Sequence, residues 1–190
     1  MAITTLLTRD LRYLQASREI LQDYLLSPEL YWPAPDTGEG MPRLSIGNIL
    51  LSEARVRAAV LFGMSIGAGT QELELFDGVR ARWRSTWAAK AGRELHNRIS
   101  LWSNYLDDLA GDRGSNSQEY GYQVRLRVMI TLLSQELLAP DKPSQEQMVM
   151  LDHRLQALTH SAAFVWDREL EAGFPRELFW FLYRSAGTGG

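Results

Sequence analysis

The chain has 190 residues, a net charge of −3 at neutral pH, 45% hydrophobic residues and no cysteine. Length and composition point to one globular domain, outside the range of disordered chains. They exclude disulfides, thiolate catalysis and cysteine-ligated metals, and the overall charge gives no footprint for nucleic acid. Eighteen of the twenty basic residues are arginine.

The N-terminus, MAITTLLTRDLRYL, carries Arg9 and Asp10 where a secretion signal needs an unbroken apolar core. The most nearly uncharged apolar run, 58–69, is about a dozen residues, short of the roughly 20 that cross a bilayer. The expectation is a cytoplasmic protein that does not engage a membrane. Leu7, Leu11, Leu14, Leu21 and Leu25 repeat at helical spacing, which predicts a first helix over about 4–27, stopped by Pro28, Pro33 and Pro35.

The stretch 31–48, YWPAPDTGEGMPRLSIGN, holds three of the seven prolines and three of the fifteen glycines. Tyr31, Trp32, Met41 and Leu44 are too apolar for a bare linker. We expect a loop over 31–44 with docked ends that leaves only 36–40 as a mobile tip. A second helix over about 45–64 crowds its charges, Glu53, Arg55 and Arg57, into one short region, so it should be the most buried of the set. Gly63, Gly67 and Gly69 end it, and Thr70 is the expected N-cap of the next helix.

A third helical pattern runs over about 71–110. Its apolar positions step by four from Val79 to Ile99, so at about 100° per residue the stripe rotates to the opposite face. Either the helix bends or breaks near Gly92, or its two halves bury different faces; we favour the second. A turn follows at 112–117, then a fourth helix over about 118–138. Ser144 and Gln147 form a capping box for a fifth helix, whose core positions Met148, Leu151, Leu155, Leu158, Ala162 and Val165 alternate steps of three and four up to Gly173. Pro175 opens a short terminal helix over 176–184, and 185–190 form a disordered tail. Nothing reads as a strand. The fold class is therefore all-α: a single domain over 1–184, a bundle of about five main helices plus a short C-terminal one, with a long central third helix.

Catalytic and metal chemistry find no constellation. Glu-x-x-His, the ligand pair of a di-iron bundle, is absent before His96, His153 and His160. His153, His160 and Asp167 recur every seven residues, which on one helix separates neighbours by about 10.5 Å, too far to share an ion. Gly63–Gly69 lacks the preceding strand and the Lys-Ser/Thr ending of a phosphate loop. No cofactor or metal is implied, and an enzyme is not indicated.

The sharpest charge feature lies between Arg80 and Arg98, where six basic residues face a single acid, Glu94. Arg80 and Arg84 lie a turn apart with Trp83 between them, a spacing suited to a phosphate or carboxylate. Acidic neighbours on the third and fifth helices could instead balance the strip, and its charges divide between opposite helix faces, so no nucleic acid is expected. The first reading of function is an interaction or scaffold protein, acting through helix faces on itself or another protein, as a homo-oligomer or a subunit of a larger assembly. The alternative is a bundle that binds an anionic small molecule in an internal or inter-helix pocket. Candidate binding residues for either are Tyr31, Trp32, Arg80, Trp83, Arg84 and Trp180.

Overall fold

In the computed structural model, residues 5–33, 40–67, 69–111, 117–139 and 141–186 are described. Among them the α-helices are α1 (Thr5–Leu26), α2 (Ile46–Leu61), α3 (Gly69–Arg82), α4 (Arg84–Gly111), α5 (Tyr120–Gln123), α6 (Arg125–Gln135) and α7 (Lys142–Leu158). The class is all-α, as the sequence indicates. Two-residue strands, β1 (His160–Ser161) and β2 (Arg184–Ser185), pair antiparallel, and 3-10 turns occupy Arg168–Gly173 and Trp180–Tyr183.

The leucines of α1 enter the core as their spacing predicts: Leu7, Leu14, Leu21 and Leu25 are all buried. Helix α2 is buried along most of its length and packs against α1, α4, α6 and the first 3-10 turn. Ser45 caps it, its Oγ accepting from the Asn48 N–H, and Gly63 closes it with φ of +90°, a left-handed conformation open to glycine.

The start of α2 is also held from another helix. Glu94 of α4, fully buried, accepts the Ser45 hydroxyl at 2.8 Å and the Gly47 N–H at 2.9 Å. Arg98, one turn on, donates to the same carboxylate through Nε and Nη2 at 3.0 and 2.8 Å. Gly47 leaves room for this: a Cβ there would stand 2.6 Å from Glu94 Oε1.

The 31–44 segment is docked at both ends, as its composition suggests. The backbones of Trp32 and Leu44 exchange two hydrogen bonds at 3.0 and 3.2 Å, and Leu44 is buried. Lys90 and Arg93 of α4 donate to the carbonyls of Ser27, Glu29 and Pro28, tying down the chain that leaves α1. Most of the expected mobile tip, 36–39, lies outside the described residues, as do 112–116 of the expected turn and 187–190 of the tail.

Several expectations are corrected. The third pattern breaks at Trp83, and α4 runs unbroken through Gly92. The interruption is slight, since the Trp83 and Trp87 amides still reach Val79 and Trp83 carbonyls at 2.9 and 2.8 Å. Thr70 lies inside the first turn of α3 instead of capping it. The fourth helix is split at Val124 into α5 and α6. Helix α7 starts earlier than expected, at Lys142, with Asp141 as its N-cap: its carboxylate accepts the Ser144 amide and hydroxyl at 3.3 and 2.9 Å.

The largest correction is C-terminal. Helix α7 ends at Leu158, where Thr159 turns extended (φ −130°, ψ 164°) and β1 begins. Ala162 and Val165, expected as its last core positions, give their N–H groups to the Tyr183 and Leu182 carbonyls at 2.9 Å each. Among the described residues no α-helix follows Pro175. The segment packs as an aromatic chain in which Phe174, Phe179 and Phe181 are buried with rings edge-on. Ser185, assigned by sequence to the tail, pairs in β2, and Ala186 is buried. The 3-10 turn reaches α2 because residue 173 is glycine: a Cβ there would come within 2.7 Å of the Ala58 Cα.

Two measurements probe these contacts. Glu94→Ala strands buried Arg98 and the Gly47 amide, and should cost about 3–5 kcal/mol in urea denaturation. Glu53 of α2 is buried beside Arg80, and burial outweighs that attraction to push its carboxyl up to about 7, against 4.5 for an unburied glutamate. The folded chain thus holds this proton more tightly than the unfolded one. The resulting stability is complete below the lower value and is lost as pH rises through the higher. Between pH 5 and 8 the wild type should lose roughly 1–3 kcal/mol more than Glu53→Gln, read from urea midpoints at each pH.

Candidate functional site

The six residues singled out by sequence do not converge. Arg80 sits among carboxylates, paired with Glu53, with Asp77 at 3.0 Å and with Glu136 at 3.5 Å, while its guanidinium lies 4.9 Å from the Trp87 ring centroid. Arg84 pairs with the same Glu136 at 2.8 Å. Trp83, half-buried, marks the break between α3 and α4. Arg80 and Arg84 are therefore balanced inside the fold, with Glu53 and Glu136 as partners that the sequence did not suggest beside Asp77, while Lys90 and Arg93 of the same strip serve backbone carbonyls. Trp32 packs edge-on to Tyr24 at 6.0 Å, and Trp180 lies half-buried in the C-terminal aromatic segment next to Phe181. Of the six, Tyr31 lines the cleft formed by α1, α2 and α4.

That cavity is a cleft of about 490 Å³ bounded by α1, α2, α4, the α5–α6 junction and residues 40–43. Five arginines line it, Arg9, Arg43, Arg55, Arg98 and Arg125, against one carboxylate among the described residues, Asp10. Tyr31 and Tyr122 form aromatic walls, and Asn48 and Asn97 add neutral polar groups. The Tyr31 hydroxyl donates to Asn97 Oδ1 at 2.5 Å, and its ring stacks 5.3 Å from the Arg98 guanidinium.

The arginines differ in how far the fold satisfies them. Arg98 belongs to Glu94. Arg43 braces the loop, its Nη2 donating to the Tyr31 carbonyl at 2.9 Å. Arg55, 9% exposed in the middle of α2, reaches Asp10 only at 3.7 Å, and its Nε has no hydrogen-bond partner. Arg125 stacks on Tyr122, guanidinium carbon 3.6 Å from the ring centroid, and its buried Nε is likewise unpartnered. Exposed Arg9, next to Asp10, forms no ion pair within 4 Å among the described residues.

Electrostatics register this crowding. Burial pushes the Arg55 guanidinium down, Asp10 counters, and Arg9 adds to the fall. Burial also pushes Arg125 down, relieved by Tyr122 but deepened by Arg98 and Arg55. Asp10 is held above the usual carboxylate range by burial, which outweighs Arg55, Ser52 and Arg9. Mutual repulsion of guanidinium groups around a partly dry cleft costs stability unless an anion occupies it.

Sequence reasoning missed Arg9, Asp10, Arg55 and Arg125 as a group. One signal was present: Asp10 stands three residues after Leu7 and four before Leu14, on the apolar stripe of α1, so a charge had to be buried there. Arg55 gave a similar sign within the most apolar helix. Searches against family models, curated proteins and solved structures match nothing to this chain, so the cleft is the ground for a functional reading.

Proposed function

We propose that the protein binds a small anionic ligand, a phosphate ester or carboxylate, in the cleft between α1, α2, α4 and α6. The observation that carries this is the trio Arg9, Arg55 and Arg125, gathered from three helices around one carboxylate with two buried Nε donors unspent. A fold gains nothing from bringing like charges together; an anion accepting from them turns the cost into affinity. The volume suits a metabolite-sized molecule, and two tyrosine walls supply apolar contact. Ser52, the hydroxyl nearest this carboxylate, is 3% exposed and donates to Asp10, which favours binding over covalent catalysis.

An interaction protein acting through helix faces needs apolar surface that its own domain leaves uncovered. In the C-terminal segment, Phe179, Phe181 and Leu182 are buried in the domain itself. That weakens the interaction reading and moves the anion reading ahead.

Thermal shift tests the proposal with inorganic phosphate, pyrophosphate, sugar phosphates and small hydroxy- and dicarboxylates. A ligand at about one hundred times its Kd should raise Tm by roughly 5–10 °C. Arg9→Ala and Arg125→Ala should fold with unchanged or higher Tm, since they relieve repulsion, and should lose most of the shift. Arg84→Ala, whose partner lies elsewhere, should keep it. A silent panel, or a shift indifferent to Arg9 and Arg125, would sink the proposal.

A further inference from the structure

The carboxylate that the described residues bring to the cleft is held in an unusual way. Asp10 is 4% exposed; its Oδ1 accepts the Ser52 hydroxyl at 3.0 Å, and its Oδ2 has no hydrogen-bond donor. Its nearest cation, Arg55 Nη1, stands at 3.7 Å, and Arg55 Nε is also unpartnered. If Asp10 served only to neutralise Arg55, the pair should close. Elsewhere in this molecule such a pair does close: Arg127 and Asp152 meet through two bonds of 2.8 Å each. The Asp10–Arg55 pair is left open at the wall of a cleft, with one acceptor and one donor both buried and unused. Leaving either unserved is costly.

Resting on the anion reading above, we infer that the ligand carries a hydroxyl group that Asp10 and Arg55 read, so that the cleft selects a hydroxylated anion: a hydroxy acid or the phosphate ester of a polyol. A hydroxyl donates one hydrogen bond and accepts others, which serves Asp10 Oδ2 and an arginine donor together. An ammonium group only donates, and would add positive charge among five arginines. A carbonyl or ether oxygen only accepts, and would face the carboxylate lone pairs. The anionic end of the ligand belongs with Arg9 and Arg125, away from the carboxylate that would repel it. Asp10 is thus a specificity-determining residue, rejecting deoxy analogues through the acceptor they would leave buried and unpaired.

Calorimetric titration of the full chain with matched pairs tests this: glycerol 3-phosphate against propyl phosphate, and glycerate against propanoate. The hydroxylated member of at least one pair should bind about tenfold tighter. Asp10→Asn puts an amide donor where the acceptor stood and removes a negative charge. It should strengthen binding of the deoxy member and collapse the ratio, and Asp10→Ala should collapse it too. A role confined to holding Ser52 and Arg55 in place would shift both members alike and leave the ratio unchanged. Equal affinities in the wild type, as when a held water fills the gap, overturn the inference while leaving the anion reading standing. Silence toward every anion overturns that reading, and this inference with it.

Discussion

The carboxylate of Glu94 is the contact on which the rest of this structure depends. It meets the Gly47 amide in the first turn of α2, where the helix presents unpaired N–H groups and the positive end of its dipole, and it does so from within α4. Burial of a lone carboxylate is prohibitively costly, but this one is served by a hydroxyl, a backbone amide and a guanidinium at once. The arrangement fixes α2 against α4 in both register and angle. It also fixes the loop ends: Ser45 starts α2, Leu44 before it pairs with Trp32, and Tyr31 is thereby delivered to Asn97 and Arg98.

Two groups of arginines show what such service means. Around Arg80 and Arg84 the acids Glu53, Asp77 and Glu136 arrive from α2, α3 and the end of α6, and each positive charge meets a negative one. Around Arg9, Arg55 and Arg125 the cleft lining offers one carboxylate among the described residues, Asp10. The same residue type is a cross-link in one place and an unfilled socket in the other. Charge density along the chain favoured the first group; charge imbalance in space distinguishes the second.

What the sequence made legible follows from this difference. Helices α1 and α2, the docked loop and the all-α class were readable because periodicity, proline and glycine act locally. The break at Trp83 was not, because arginine and tryptophan are acceptable helix residues and no local breaker stands there. The segment after Leu158 misled for a physical reason: Ala162 and Val165 continue a helical spacing, and their amides are instead taken by residues 182–183. The cleft was least readable of all, since its charges come from α1, α2 and α6 and adjoin only after packing. The lone acid in the basic strip was noticed as an exception, yet its role as a cap for another helix needed the fold to show it.

The contact between Gly173 and Ala58 bears on the order in which this molecule is assembled. Those residues lie in the second and last quarters of the 190-residue chain, so the loop closed by their meeting is among the longest the topology demands. While a ribosome still holds residues beyond about 160, α2 has emerged with one flank bare, and the apolar residues that will cover it are not yet available. Ala58 and its neighbours on that flank of α2 stay uncovered until the aromatic segment of residues 164–182 joins them.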